Sequence, residues 1–454
     1  MLLLIQKIVR AIQGGYFLAA TAKRVRSYFG VNILYVKSCK YDNSSFSNIV
    51  SECESPNWMI SKDLEEEPRL NVILPSLNKE HLSGGPNTAI NFCCRLVERG
   101  ISLRFICVNT PLINTKVSLV EHFKLLCGGQ IDSNKIEIVD GYKTNVEIGK
   151  NDIFLGTAWW TVHSFHSFLA NMKIQRFFYL VQDYEPGFYS WGLKHMLALE
   201  TYTYNHIPIV NSISLQRHLV LNHGNDGLIY NDEKKLLVFR PAVDSNFYFE
   251  KDVQKYKNKK VMLFYARPGI AERNLFDAGL EAFYRAHREG HFQKEDWEVY
   301  FIGENISDIQ FETGFEIKCI KWMNFEKYRE TIRKADLVLS LMLSPHPSYL
   351  PLEACACGAV VVTNTYSTKT KDYLLSISGN IVPVQPTLSG IKDGLVQASF
   401  KVKNLEDRQK FSEINLPRSW DEAFLPVVGE VAKLIHNNLD TSLSNTNKEY
   451  TCLK

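Results

Sequence analysis

From residue 69 onward, short apolar runs alternate with longer stretches whose apolar positions recur at helical spacing. RLNVILP (69–75) predicts a strand and SLNKEHLSGG a loop. Pro86 to Glu98 then predicts a helix with Ile90, Cys93, Cys94 and Val97 on one face. ISLRFICVN, DIFLGT (152–157), RFFYLVQ (176–182), IPIVNS (207–212) and KLLVFRP (235–241) read as further strands. Most of them are separated by helical pattern. A second series follows EKDVQKYKNKK (250–260), with VMLFYARP, WEVYFIGE, DLVLSLML and AVVVTN as strands. NLFDAGLEAFYRAHREG and NFEKYRETIRKA read as its helices. Near-continuous apolar strands alternating with helices imply a parallel sheet covered on both faces. The expected fold class is therefore α/β, with two Rossmann-like, doubly wound domains facing a cleft. The pattern divides the chain into an N-terminal extension and linker (1–66), a first domain (67–245) and a second domain (255–418). A terminal helix (419–438) and a flexible tail (439–454) follow.

Charge changes this picture only at the N-terminus. The 454 residues carry a net charge of +3, which does not describe a nucleic-acid binder. Lys7, Arg10, Lys23, Arg24, Arg26, Lys37 and Lys40 all precede the first acid, Asp42. Leu4, Ile5, Ile8, Ala11 and Ile12 share one helical face, so residues 1–30 read as a basic amphipathic helix. Two readings stay open: peripheral contact with an anionic membrane surface, or a helix packed on the body with a solvated basic face. No apolar run reaches the roughly 20 residues of a membrane span. The ten cysteines show no zinc-site spacing and read as buried thiols of a reducing cytoplasm. The expected location is cytoplasmic, with the inner face of the cytoplasmic membrane as the alternative.

Candidate chemistry gathers in the loops at strand ends, where ligands of such sheets bind. The stretch SPHPSYLPLEACACG (344–358) predicts a short helix from Tyr349 to Cys357, with Ser348 as N-cap and Gly358 as its close. Its N-terminus, at Ser348, Tyr349 and Leu350, suits a phosphate. Glu353, the only charge between Asp336 and Lys369 with histidine taken as neutral, suits a sugar hydroxyl. Arg267 and Arg273, in ARPGIAERN, are spaced to clamp a diphosphate. SGG (83–85) lets backbone at Gly84 and Gly85 approach a ligand closely. VQDYEPGFY supplies Asp183 and Glu185 as acid/base or hydroxyl-binding candidates, and TAWWTVHSF supplies His163. Each has a plainer alternative: a surface acid, solvated loop arginines, a tight turn, a core histidine.

Together, VQDYEPGFY, FYARP…ERN and LSLMLSPHPSYLPLEACACGAVVVTN resemble GT-B glycosyltransferases. More narrowly they resemble the rhamnosyltransferases of bacterial surface-glycan and rhamnan synthesis, relatives of the retaining family 4 enzymes, over about residues 69–435. The resemblance implies transfer from a nucleotide sugar, commonly dTDP-rhamnose, to a glycan acceptor, either a surface polysaccharide or a lipid-linked glycan. By matching position, Arg267 and Arg273 would hold the diphosphate and count, with Asp183, as catalytic candidates. Glu353 would bind the nucleotide ribose, and amides near Tyr349 and Leu350 a phosphate. Lys321, in CIKWMNFEKY, would meet base or phosphate. Gly84, Gly85, Glu185 and His163 would fall on the acceptor or cleft side. One departure stands out: Pro345 occupies the position of the carboxylate that family 4 enzymes place on the donor sugar, with His346 next to it. No DxD motif is evident, and neither a metal nor another cofactor is expected. A GT-B sugar-nucleotide epimerase and a non-catalytic glycan-binding subunit are the rival functions.

Overall fold

The computed structural model describes residues 56–61, 68–82, 84–128, 131–223, 230, 236–246, 259–269, 272–321 and 323–439. The basic N-terminal helix expected at residues 1–30, Ser83 and the tail after residue 439 lie outside them.

The first half carries strands β1 (Asn57–Ile60), β2 (Leu70–Leu74), β3 (Leu103–Cys107), β4 (Ile136–Asp140), β5 (Asn145–Ile148), β6 (Ile153–Gly156), β7 (Phe177–Val181), β8 (His206–Asn211) and β9 (Leu237–Phe239). Helices α1 (Gly85–Glu98), α2 (Lys116–Cys127), α3 (Trp159–His166), α4 (Leu193–Glu200) and α5 (Ile213–His223) run between them. Seven of these strands form one parallel sheet in the order β4-β3-β2-β6-β7-β8-β9. The order reverses beside β2, which opens a crevice at the carboxyl ends of β2 and β6. Alternate side chains of each strand serve opposite faces. Val72 and Leu74 pack into one apolar cluster and Ile73 into the other. This two-sided burial is why the strands read as unbroken apolar runs.

The second half repeats the plan. It holds β10 (Lys260–Ala266), α6 (Phe276–Arg288), β11 (Trp297–Gly303), β12 (Ile309–Gln310), β13 (Glu316–Cys319), α7 (Phe325–Arg333), β14 (Leu337–Leu339), α8 (Tyr349–Ala356), β15 (Val360–Asn364), α9 (Lys371–Ile377) and β16 (Ile381–Val384). Helices α10 (Leu388–Lys401), α11 (Leu405–Lys410) and α12 (Trp420–His436) follow. The strand order is β12-β13-β11-β10-β14-β15-β16, parallel except for the edge pair β12–β13. Its reversal lies beside β10, so the two sheets offer matching crevices.

The sequence reading does not single out β4, β5, β12, β13 or β16, and three further features differ from it. The stretch expected to be linker contains β1, which pairs in parallel with β5 from Asn57↔Asn145 to Ile60↔Ile148. Trp58 anchors it, its indole N–H donating to the Ser164 carbonyl at 2.7 Å. The strand expected through DLVLSLML ends at Leu339. Beyond it the Met342 N–H turns to the Asn364 side chain at 2.7 Å, which takes the chain out of the ladder. The terminal helix α12 returns to the first domain. Its Phe424 packs on Phe92 and Phe239, with ring centroids 5.3 and 4.9 Å apart. Asp421 accepts from Arg95 Nε at 2.8 Å. The two chain crossings between the domains are tied together, Val243 N–H to Pro417 O at 2.9 Å and Ser245 N–H to Arg418 O at 3.0 Å. No helix among the described residues is long and apolar enough to cross a membrane.

Candidate active site

Between the carboxyl ends of the two sheets lies a cleft of about 960 Å³. Gly84, Gly85 and Thr88 line it from the first domain, and Arg267, Lys321 and Glu353 from the second. The N-termini of α1 and α8 open onto it, and Asn324 and Phe325 at the start of α7 line it as well. At α1, the N-cap Gly84 has φ 61° and ψ −119°, a conformation that favours glycine. At α8, Ser348, Tyr349 and Leu350 form part of the wall. The leading amides of a helix lack intrahelical acceptors and carry the positive end of its dipole, so such ends favour an anion.

Ser348 does stand at the N-cap of α8, but its hydroxyl caps nothing, and its backbone takes φ 66° and ψ 148°. The lead-in loop is held instead by its neighbours. Ser348 N–H donates to His346 Nδ1 at 3.0 Å, and His346 N–H donates to Ser344 Oγ at 3.0 Å. Gly358, with φ 79°, follows the helix in left-handed geometry, as expected. The Tyr349 phenol bridges the domains, accepting from Thr88 Oγ1 at 3.2 Å and Asn211 Nδ2 at 3.0 Å. Glu353 Oε2 accepts from the Tyr328 hydroxyl at 2.8 Å. Arg267 donates from Nη1 to the Tyr265 hydroxyl at 3.2 Å, and its Nε is buried without a partner. Lys321 is exposed.

Asp183 and Arg273 do not line this cleft. They meet in a polar seam beside it, where the first domain touches the second. Arg273 Nη1 donates to Asp183 Oδ2, and Ser344 Oγ donates to Asp183 Oδ1. The Arg273 guanidinium also covers the Phe188 ring at 3.7 Å. Burial alone would raise the Asp183 carboxyl. Arg273, then His346 and the Ser344 hydroxyl, more than offset it and hold the group below its ordinary range. Lys369 lies in the same seam with its Nζ donating to Met342 O at 2.9 Å, and burial lowers its amine to about 7.

Glu185 and His163 sit deeper in the first domain. Glu185 Oε2 accepts from Trp159 N–H at 2.8 Å and from the Tyr179 hydroxyl, and burial raises its carboxyl to about 8. His163 Nε2 pairs with Leu197 O at 2.9 Å. Both residues have structural partners and neither reaches the cleft. Sequence reasoning passed over Ser344, Tyr328, Lys369 and Asn211. Of these, only Lys369 carried a signal, as the first basic residue after the apolar strand AVVVTN.

Comparison with known proteins bears on the fold and the family. The O-antigen biosynthesis protein RfbC of Myxococcus xanthus is 29% identical over 314 residues, which is 68% of this chain and 23% of that protein. The chain thus spans less than a quarter of that relative's length. Among solved structures, Anabaena Alr3699/HepE in complex with UDP and glucose matches with a TM-score of 0.51 at 12% identity, over 82% of this chain and 99% of that one. WaaG, a glycosyltransferase involved in lipopolysaccharide biosynthesis, matches with a TM-score of 0.50 at 10% identity, over 81% and 99%. At such identities the likeness speaks for the fold. Residues 69–213 match the model of the WsaF N-terminal domain and residues 260–396 that of the WsaF C-terminal domain, together more than half of the chain. With both WsaF domains in order and two doubly wound sheets around one cleft, the chain belongs to the WsaF family and has the GT-B glycosyltransferase fold.

Proposed function

We propose that this protein is a glycosyltransferase of surface-polysaccharide assembly, moving a sugar from a nucleotide-sugar donor, dTDP-rhamnose, onto a glycan acceptor. One observation carries the reading: a single cleft joins the N-termini of α1 and α8 with Arg267, Lys321 and Glu353. That combination fits a nucleoside diphosphate. Glu353 would accept from the ribose hydroxyls, and the first amides of α8 with Arg267 and Lys321 would hold the diphosphate. Further support comes from the relatives, one named for O-antigen biosynthesis and one solved with UDP and glucose.

In the reaction, the bond between the sugar's anomeric carbon and the diphosphate oxygen breaks. A bond from the anomeric carbon to an acceptor hydroxyl oxygen forms, and the acceptor's proton passes to the departing diphosphate oxygen. Negative charge builds on the departing diphosphate, where fixed positive groups act most strongly. Asp183 is held ionised by Arg273, so near neutral pH it serves as a hydrogen-bond acceptor rather than a proton donor. Its part would be to set Arg273 at the edge of the donor site. The acceptor would approach from the side of Gly84 and Gly85.

The test is calorimetry with dTDP and dTDP-rhamnose. Arg267→Ala and Glu353→Ala should each weaken both ligands on the order of 10- to 100-fold, as expected for a lost charge-assisted hydrogen bond. Unchanged affinity in both variants would sink the donor-site assignment.

A further inference from the structure

Buried polar atoms in folded proteins are almost always paired, so a group of unpaired ones points to something that binds there. Gln182 Oε1, Asn211 Oδ1, Arg273 Nε and His346 Nε2 are all buried without a hydrogen-bond partner. They belong to one neighbourhood. Gln182 precedes Asp183 and donates from Nε2 to the carbonyl of cleft-lining Gly85 at 3.1 Å. Arg273 pairs with Asp183, and Asn211 donates to the phenol of cleft-lining Tyr349. His346 packs against the same Tyr349, with ring centroids 5.7 Å apart. Gln182, Asn211 and His346 therefore adjoin Gly85 and Tyr349, which line the cleft, and Arg273 joins them through Asp183.

His346 is the most informative of the four, because its tautomer is fixed. The residue is 4% exposed. Nδ1 faces the Ser348 N–H at 3.0 Å. A backbone amide can only donate, so Nδ1 accepts and carries no proton. Burial, opposed by Asp183 and reinforced by Lys369 and Arg273, lowers the ring to about 4, so it is neutral near pH 7. The single ring proton is then on Nε2, a buried donor with no acceptor. Its place along the donor axis is also defined. Glu353 lies one turn into α8, the helix N-terminus comes next, and His346 stands two residues before that N-cap. A nucleotide sugar with its ribose at Glu353 and its diphosphate at the helix end puts its hexose toward His346.

We infer that His346 is a specificity-determining residue of the donor site, whose Nε2–H donates to a hydroxyl oxygen of the transferred sugar. The inference rests on the donor-site reading above. It also bears on Pro345, since it puts a neutral hydrogen-bond donor where a carboxylate would have supplied an acceptor. A donor at this place selects a sugar oxygen with a free lone pair, and it holds the hexose without adding charge beside the anomeric carbon.

Two substitutions separate this role from that of holding the loop. His346→Asn keeps an acceptor near the Nδ1 position and removes the Nε2 donor. His346→Gln offers an amide N–H near the Nε2 position. Calorimetry on each folded variant, with dTDP and dTDP-rhamnose and with UDP and UDP-glucose, gives the ratio of affinities for sugar nucleotide and bare nucleotide. In His346→Asn that ratio should fall about tenfold for the pair that wild type binds, as for one buried hydrogen bond lost. His346→Gln should recover most of it. Because both ligands are measured on the same variant, a general loosening of the fold cancels. An unchanged ratio in His346→Asn, with wild type binding normally, would overturn this inference alone, and so would an equal fall in both variants. Failure of wild type to bind any of the four ligands would overturn the donor-site reading as well.

Discussion

Asp183 and Arg273 are separated by 90 positions in sequence and come from different domains, yet they form one ion pair. Their side chains are only 13% and 17% exposed. Removing one charge of such a pair leaves the other poorly solvated, and that residue accounts for most of the cost. Asp183→Asn should lower stability by about 3 kcal/mol in urea unfolding at neutral pH. The pH dependence has a defined sign. The folded carboxyl titrates below its ordinary value of 3.8, so the unfolded chain takes up the proton more readily. The contribution is complete above that value and is lost as pH falls through the lower folded value. The gap between Asp183→Asn and wild type should therefore close in acid. A gap that stayed constant down to the acid transition would mean that the carboxylate charge is not what stabilises the seam. Sequence pattern marked both residues as candidates for chemistry, because each follows an apolar strand at a loop. It could not show that they bind each other, since nothing local connects them.

At the scale of one element, α8 shows how the site is built. Ser348 takes φ 66° and ψ 148° at the N-cap, a region that is costly for any residue with a Cβ, and its hydroxyl gains no capping bond in return. Glycine would remove that strain and give back part of the gain in chain entropy. Ser348→Gly should raise unfolding stability by about 1 kcal/mol with α8 kept in place. Thermal or urea unfolding reads this directly, and a loss of stability would show the strain argument to be wrong. The helix itself was legible in SPHPSYLPLEACACG because proline, small residues and Gly358 are local signals. β4, β5, β12, β13 and β16 did not stand out, but the central strands were legible, because burial on both faces leaves a run of apolar letters. β1 was not, since its four residues NWMI are short and only partly buried, and its partner β5 lies far along the chain. The early end of β14 was equally hidden: DLVLSLML reads as one apolar run, and only the Asn364 side chain shows where it leaves the sheet.

At the scale of the whole molecule, the domain order in sequence is not the domain order in space. α12 follows the second domain but completes the core of the first, with Trp420, Phe424, Val427, Val431 and Ile435 all buried there. A chain ending at residue 418 should keep the second domain folded and lose protection in the first. Hydrogen exchange would show fast exchange over β2 and β3 with slow exchange over β10 and β15. Equal protection in both domains would show that α12 is dispensable. The apolar periodicity of SWDEAFLPVVGEVAKLIHNN announced a helix with one buried face, but not which domain would bury it. That choice depends on surfaces such as Phe92 and Phe239, which exist only once the first sheet has formed.

The return of α12 also sets an order of events during synthesis. The first domain leaves the ribosome first, yet its core stays open until Phe424 and the residues around it have been made. The second domain, whose core residues extend to Ile414 and Leu416, has all its parts earlier. The part made first is thus the last to close. A stop just before the final helix would leave the core of the first domain open and that of the second complete.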